Sequence, residues 1–584
     1  MKTLFTTIFA CLALVTCTFA QPKFEWASKI GGKFAGYMTV DNAGNVYTSG
    51  EIKTDTPNYK EDYNPGQDTS YLVNDGTAWG FINKFDSHGN FKWVKKTGGS
   101  FDFNSGGRNR EISVDNSGNI YLAGIFSGTD DFDPGQQEFN LTAIGYDPDI
   151  FILKLDSSGN FIWAKRIGGR MNDRFYSLCL DKAGNIYIGG NFQSTVDFDP
   201  GPDTVTLVSD AYNTNFILKL DTDGNFIWVK QFHTTNALRS MAVDAMGNVC
   251  VTGLIYSGTV DFDPGPGTFN LSDTCGTLFI LKLNSDGNFL WAKRFGVIQS
   301  GSDVGSGGSL IKIDEQGNIF SSGSFKGTGD FDPGDNSHIL YDTMYSYYLL
   351  KLDKDGKFQW VHTSPFVSAF SVDPYGSVYC TGTFGQGSFD SGTGIHKVTA
   401  KGTEDSFISK YDPSGNLVFV EQIGSNSTRN YQDERLEHYD FEITGEHGYS
   451  ISVTRTGDIY TCGTFIDTVD FDPSLSSEYK LSGYGFFLFK LSQSNFSDVL
   501  ESPEVANFLS IYPNPSSSSI TVSFGKQITN GRIKLINLLG QTTFEQADVN
   551  GGSFSLDITN QLKGMYFIEM SEGGNVQRVK VVKE

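Results

Sequence analysis

One eleven-residue phrase recurs seven times along this 584-residue chain and limits the possible folds more than any other feature. A second phrase, such as FINKFDSHGNFKW or FILKLDSSGNFIW, lies between its copies. Each phrase predicts two strands joined by a D-x-x-G turn, in which Asp accepts backbone N–H groups and Gly adopts the left-handed conformation. Each repeat thus carries four strands, named A to D in chain order, and such repeats around an axis form a β-propeller. The copies of the first phrase read VDNAGNVYTSG, VDNSGNIYLAG, LDKAGNIYIGG, VDAMGNVCVTG, IDEQGNIFSSG, VDPYGSVYCTG and VTRTGDIYTCG.

The two ends of the repeat array predict that the ring closes. The seventh repeat ends at FFLFKLSQS without a D strand, and FEWASKIGG near the N-terminus matches FIWAKRIGG of the second repeat. An N-terminal strand that completes the last blade removes both open edges. In this alignment Trp26 corresponds to Trp93, Trp163, Trp228, Trp291 and Trp360, with Phe419 in the remaining place.

We therefore predict an all-β fold, a seven-bladed β-propeller closed by the N-terminal strand and followed by a small C-terminal β-sandwich. The predicted boundaries are 1–20 for a signal peptide, 21–493 for the propeller, 494–507 for a linker and 508–584 for the tail. The phrases resemble the bacterial seven-bladed β-propeller repeat (SBBP) family over roughly residues 22–493, and this resemblance implies the fold but little chemistry. Kelch and WD propellers match less well, because their periods are shorter and the G-H…W-D signature is absent.

The N-terminus and the composition restrict location and partners. Lys2, an apolar stretch and Ala20 before Gln21 are typical of a secretory signal peptide, and no later segment is long and apolar enough to span a membrane. The formal net charge of −23 disfavours nucleic acid and makes cations more plausible small partners. Five scattered cysteines remain after residue 20 and predict neither a disulfide framework nor a zinc site. We expect a secreted or cell-surface monomer.

Strand order predicts two different faces. The A–B and C–D turns are short and share one face, whereas the B–C and D–A connections vary in length and share the other, where we expect a binding site. The largest insertion, roughly residues 425–446, carries Arg429, Tyr431, Asp433, Glu434, Arg435, His438 and Asp440.

A D-F-D-P-G motif recurs in the B–C connection and supports two hypotheses. Paired carboxylates could begin a Ca²⁺ site, which needs six to eight oxygen ligands. Alternatively, the second Asp begins a turn and the Phe fills a gap between blades. In the sixth copy Ser388 replaces the first Asp, and in the first copy Asn64 replaces the second Asp. Because both carboxylates are therefore not kept in every blade, the structural hypothesis is favoured. The candidate calcium ligands are Asp131, Asp133, Asp197, Asp199, Asp261, Asp263, Asp330, Asp332, Asp470 and Asp472.

Catalytic motifs are absent from the sequence, which contains neither HExxH nor G-x-S-x-G. We therefore predict no catalytic residues, and we expect a binding or interaction protein whose extracellular ligand is a glycan or a protein. The alternatives are an enzyme that acts on an extracellular polysaccharide, with carboxylates from different blades meeting above the channel, and a purely structural surface protein.

The tail resembles the type A C-terminal sorting domain of the bacterial type IX secretion system. The resemblance implies passage through the periplasm, recognition by the outer-membrane translocon as partner, and removal of the tail with release or surface attachment. The residues that carry it are Tyr512, Pro513, Asn514, Pro515, Gly540 within NLLGQ, Gly564 and Tyr566, with a basic end from Lys580 to Lys583.

Overall fold

The computed structural model divides the chain into two units, Met1–Ser494 and Asn495–Glu584. The predicted signal peptide, linker and large insertion at 426–444 lie outside the residues that the structure describes. The described residues are 22–31, 34–52, 60–66, 68–73, 79–99, 110–209, 214–232, 238–255, 258–273, 276–297, 310–385, 388–390, 397–425, 445–474, 477–493, 509–512, 517–537, 542–572 and 575–583.

Within these residues, the first unit contains seven antiparallel four-stranded blades in the order A-B-C-D. The A strands are Phe34–Val40, Arg110–Val114, Arg174–Leu180, Leu238–Val243, Leu310–Ile313, Phe366–Val372 and His447–Val453. The B strands are Val46–Ile52, Ile120–Phe126, Ile186–Phe192, Val249–Ile255, Ile319–Asp330, Val378–Gly385 and Ile459–Phe465. The C strands are Trp79–Phe85, Asp149–Leu155, Thr214–Leu220, Thr277–Leu283, Ile339–Leu352, Glu404–Tyr411 and Gly485–Ser492. The D strands are Phe91–Thr97, Phe161–Gly169, Phe226–Phe232, Phe289–Val297, Phe358–Ser364, Leu417–Ile423 and, for blade 7, Lys23–Ile30.

The N-terminal strand closes the ring, as the sequence predicts. Lys23–Ile30 pairs antiparallel with the blade 7 C strand, from Lys23 opposite Ser492 to Ile30 opposite Phe486. Ile30 then packs with residues of blades 7 and 1 in one buried cluster. The A strand of blade 1 also contacts the A strand of blade 7, so the inner strands follow one another in a closed circle.

The short D-x-x-G turns form with the hydrogen bonds that the sequence predicts. In the first of them, Asp41 Oδ1 accepts the backbone N–H groups of Ala43 and Asn45, and Gly44 has a φ of 78°. In the A–B turn of blade 7, Thr454 stands at the position of Asp41 and Asp458 stands at the position of Asn45. A carboxylate therefore remains at the turn, and Asp458 Oδ2 forms an ion pair of 3.0 Å with Lys490 Nζ.

A lysine on each C strand joins its blade to the next one on this short-turn face. Lys154 Nζ donates to the Thr222 carbonyl at 2.7 Å, and Lys351 Nζ donates to the Pro413 carbonyl at 2.8 Å. Blade 7 has no C–D turn, so Lys410 Nζ instead meets the side-chain oxygen of Gln493 at 2.8 Å. A C-strand lysine thus bonds to the next blade at all seven junctions, six times through a backbone carbonyl of a C–D turn and once through Gln493. The seven lysines are Lys84, Lys154, Lys219, Lys282, Lys351, Lys410 and Lys490.

Small two-stranded hairpins lie in the B–C connections. They are Lys60–Asp62 with Tyr71–Val73, Thr129–Asp131 with Asn140–Thr142, Thr195–Asp197 with Thr206–Val208, Gly258–Asp261 with Asn270–Asp273, Ser388–Asp390 with Lys397–Thr399, and Thr468–Asp470 with Lys480–Ser482. In blade 5 the long B and C strands themselves continue into this hairpin, from Gly327 opposite Asp342 to Asp330 opposite Ile339.

The tail is a separate all-β unit. Its strands are Leu509–Tyr512, Ser519–Asn537, Thr542–Asp557, Gly564–Glu572 and Asn575–Lys583. The long strand Ser519–Asn537 has several register breaks, and its two halves pair with different parts of the neighbouring strands. Residues of both halves, including Val522 and Leu535, share one buried core, which is the packing of a small β-sandwich.

Candidate functional site

The inner strands of five blades carry a β-bulge at one common position. Tyr176, Arg239, Ser368 and Tyr449 are each the extra residue in the pairing between strands A and B, and blade 1 has the same irregularity between Phe34 and Tyr37. A bulge turns a side chain away from the direction that regular pleating would give it. These four residues all line the central channel.

The last glycine of the repeated phrase permits this bulge. Gly190, Gly382 and Gly463 lie on strand B opposite the residue that precedes the bulge. A Cβ at Gly382 would lie far inside contact distance of the Phe366 carbonyl oxygen, and one at Gly463 would meet the His447 carbonyl in the same way. All seven copies of the phrase end in glycine, which is the sequence signal for a close backbone approach that our prediction did not use.

The channel along the ring axis is the candidate site among the described residues. It has a volume of about 820 Å³ and is lined by the A strands of all seven blades. Hydroxyl groups and aromatic rings make up much of its wall. Examples from five blades are Tyr37 and Thr39, Ser113, Tyr176 and Ser177, Ser240, and Tyr449 and Ser452.

Three charged side chains lie among the described lining residues, namely Glu111, Arg239 and Lys312. Glu111 Oε2 accepts the backbone N–H of Leu178 at 2.6 Å and the Ser177 hydroxyl at 3.3 Å, so this carboxylate links the inner strands of blades 2 and 3. The Nε atom of Arg239 is buried and has no hydrogen-bond partner among the described residues. The wall therefore carries more positive than negative charge.

The predicted calcium ligands lie in the small hairpins, where they accept backbone hydrogen bonds. Asp131 Oδ1 accepts the N–H groups of Asp133 at 3.0 Å and Phe139 at 2.8 Å, and Asp133 Oδ1 accepts that of Gly135 at 2.7 Å. The pairs at Asp197 and Asp199, Asp261 and Asp263, Asp330 and Asp332, and Asp470 and Asp472 repeat this arrangement.

The fit of these carboxylates to Ca²⁺ is poor. One oxygen of each pair member already accepts backbone N–H groups, whereas Ca²⁺ needs six to eight oxygen ligands. Among the described residues, no three or more acidic, histidine or cysteine side chains are grouped so as to hold a metal ion. Calcium binding at the hairpins remains a prediction.

The aromatic residue of the same motif is buried between blades. Phe132, Phe198 and Phe262 are fully buried. Each belongs to a hydrophobic cluster that joins its own blade to the preceding one, as Phe198 does with Ile152 of blade 2 and Phe216 of blade 3. The hairpin therefore fills the gap between neighbouring blades at this position.

Two buried carboxyl groups join neighbouring blades on the long-loop face. Asp173 Oδ2 accepts the Gly169 N–H at 2.7 Å, and Glu446 Oε1 accepts the Ser425 hydroxyl at 2.9 Å. Both side chains are almost fully buried, and burial raises the pKa of Asp173 to about 8 and that of Glu446 to about 7. Asp149 and Arg166 form an ion pair nearby, at 2.8 Å. Neither Asp173 nor Glu446 lines the channel.

These pKa values predict that the propeller loses stability as the pH rises. A carboxyl whose pKa is raised by folding keeps its proton in the folded state while the unfolded chain has lost it, so its contribution falls between about pH 4 and pH 8. For each such group the free energy of unfolding should decrease by up to about 1.4 kcal/mol per pH unit. In urea unfolding at pH 5, 7 and 9, Asp173→Asn should flatten this decrease. The exposed control Asp203→Asn should follow the unmodified protein, and an identical profile for both variants would contradict the prediction.

The residues that carry the sorting resemblance are only partly described. Pro513, Asn514, Pro515 and Gly540 lie outside the described residues, and Tyr512 ends the first strand of the tail. The Tyr566 hydroxyl donates to the Leu562 carbonyl at 2.9 Å. A family described as "Secretion system C-terminal sorting domain" matches residues 510–584. The tail therefore marks the chain for export, as a secreted or cell-surface protein that meets the secretion machinery.

The propeller is similar to one curated relative, the "Uncharacterized WD repeat-containing protein L264" of Acanthamoeba polyphaga mimivirus. The two are 25% identical over 417 residues, which cover 57% of this chain and 29% of the relative. The chain therefore spans less than a third of that protein's length. This relative supports a β-propeller but carries the WD label rather than the SBBP label, so the more specific resemblance remains a prediction.

Two solved structures are also similar. The Pan2 WD40 domain of Neurospora crassa has a TM-score of 0.23 and 9% identity, covering 55% of this chain and 89% of that one. A Glu150Asp mutant of the Synechocystis apocarotenoid oxygenase has a TM-score of 0.31 and 12% identity, covering 81% and 94%. Since both TM-scores are low, the fold assignment rests on the strand topology. No helix among the described residues is long and apolar enough to cross a membrane.

Proposed function

We propose that this protein is a secreted or surface-displayed binding propeller, exported by the type IX secretion system and directed to an extracellular ligand. The proposal rests on the difference between the two faces of the propeller. On one face the lysines of the C strands fix short turns at each blade junction. The longer connections all lie on the other face, where variation in length costs the β-core little.

The sorting tail supports the extracellular location, and the channel supports binding. A volume of about 820 Å³ lies within the range of small-molecule sites, and the wall mixes aromatic rings with a few charged groups, as binding sites do. Removal of the tail, and release or attachment of the propeller afterwards, belong to this proposal as well.

The test immobilises the full mature chain in two orientations and measures capture of glycans and proteins. The described cysteines are buried or half-buried, so an introduced surface cysteine gives a defined attachment point once Cys275 is replaced by Ser. Ser158→Cys ties the short-turn face to the solid support and leaves the long-loop face free. Met171→Cys ties the long-loop face to the support, and Met171 is 45% exposed there.

We expect the Ser158→Cys surface to capture ligand and the Met171→Cys surface to capture at least about tenfold less, because attachment blocks the binding face. Both variants should melt at the same temperature as the unmodified chain. Equal capture by both surfaces would contradict the assignment of the face. Absence of capture by either surface, across extracellular polysaccharides and secreted proteins, would overturn the proposed function.

A further inference from the structure

The charge of the channel differs from that of the chain. The whole sequence has a formal net charge of −23, yet the described lining residues contain two cations and one acid. The acid, Glu111, is already bonded to the inner strand of blade 3. Neither Arg239 nor Lys312 forms an ion pair with any described residue. A concave site with such a wall attracts anions although the rest of the protein repels them.

Arg239 is held at this site by the backbone. It is the bulged residue of its strand, between Leu238 opposite Gly253 and Ser240 opposite Thr252. Its Nε atom is buried without a partner among the described residues. Buried polar groups are nearly always bonded, so an unpartnered guanidinium nitrogen at a bulge indicates a bonding partner that the described residues do not supply.

The remainder of the wall fits a hydroxylated ligand. Serine and threonine side chains such as Thr39, Ser113 and Ser240 offer hydroxyl groups that both donate and accept hydrogen bonds. The rings of Tyr37, Tyr176 and Tyr449 provide flat apolar surfaces with a polar edge. A sugar ring presents hydroxyl groups around its rim and C–H groups on its faces, which matches both components.

We propose that the central channel binds a carboxylated saccharide, with Arg239 binding the carboxylate, Lys312 adding positive charge at another level of the channel and the tyrosine rings packing against the sugar. Arginine binds carboxylates through paired N–H groups, and lysine adds a second positive charge from the neighbouring blade. This inference rests on the proposed function and names the ligand class and the site. A simple organic anion would use the cations alone, and a neutral sugar would use the rings and hydroxyl groups alone.

The experiment is calorimetric titration of the full mature chain with digalacturonate, with cellobiose as neutral sugar and succinate as simple anion. Because the charge-assisted hydrogen bonds of the guanidinium are lost, Arg239→Gln should raise the Kd for digalacturonate by about tenfold or more. Lys312→Met should weaken binding in the same direction, and high salt should reduce the difference between these variants and the unmodified chain.

Lys357→Met is the matched control, because Lys357 is exposed in a C–D turn of the short-turn face and the substitution removes the same charge. It should leave the Kd within about twofold, and Arg239→Lys should retain part of the affinity. Equal affinity for digalacturonate and cellobiose, or an unchanged Kd in both channel variants, would overturn the inference. If the oriented surfaces still capture another ligand in that case, the proposed function stands and only the site and ligand class fail.

Discussion

Deleting Lys23–Ile30 should abolish cooperative folding of the propeller at room temperature. The strand covers the open edge of the blade 7 C strand from Phe486 to Ser492. It also supplies Ala27 and Phe24 to the cluster between blades 6 and 7, and Ile30 and Trp26 to the cluster between blades 7 and 1. Full burial of a large apolar side chain contributes about 1.5–3 kcal/mol, so buried Ile30 and half-buried Phe24 and Trp26 together contribute a substantial part of the stability of an ordinary domain.

Point substitutions distinguish the loss of ring closure from the general effect of shortening the chain. Ile30→Ala removes a buried side chain that is 2% exposed, and we expect a loss of about 2–5 kcal/mol in urea unfolding. Lys23→Ala in the same strand should change stability by less than about 0.5 kcal/mol, because Lys23 is exposed and its ion pair with Glu25 lies at the surface.

A synthetic peptide of residues 23–30 tests closure directly. When added to the deleted chain it should raise the melting temperature in a concentration-dependent way, since it binds only the folded ring. A deletion variant that melts within about 2 °C of the unmodified protein would contradict a closed ring.

Gly382→Ala should destabilise the propeller by about 3 kcal/mol or more, an unusually large loss for the addition of one methyl group. The added Cβ would collide with the Phe366 carbonyl oxygen, which is backbone and is held by pairing between strands A and B. Relief would require loss of the bulge at Ser368, which lines the channel. The expected result is therefore a lower urea midpoint together with weaker ligand binding.

Gly385→Ala provides the control within the same strand. Its Cβ would meet the Thr403 carbonyl oxygen at 3.5 Å, an ordinary contact, and Gly385 does not require a positive φ. Alanine there should leave stability unchanged or raise it by up to about 1 kcal/mol, because glycine loses more conformational entropy on folding. Similar stability of Gly382→Ala and Gly385→Ala would contradict the prediction, because it would mean that the bulge accommodates a Cβ at little cost. Gly463→Ala, which faces the His447 carbonyl, should repeat the Gly382 result.

The architecture could be predicted from the sequence because its signals are local and repeated. The D-x-x-G turns depend on residues four positions apart, as Asp41 and its N–H donors show. Ring closure could also be predicted, since the missing strand of the last repeat has a recognisable match at the N-terminus. The burial of Phe132 between blades followed from the presence of an aromatic residue in every copy of its motif.

The channel and its charges depended on the tertiary structure. The sequence displays a glycine at the end of each phrase, but the carbonyl that excludes a side chain at Gly382 lies sixteen positions earlier, on another strand. Arg239 and Lys312 belong to different repeats at different positions, so neither periodicity nor spacing links them. Repetition along the chain determined which strands form and how the ring closes. Only the packing of seven inner strands around one axis decided which side chains meet there, because that depends on bulges and on contacts between blades.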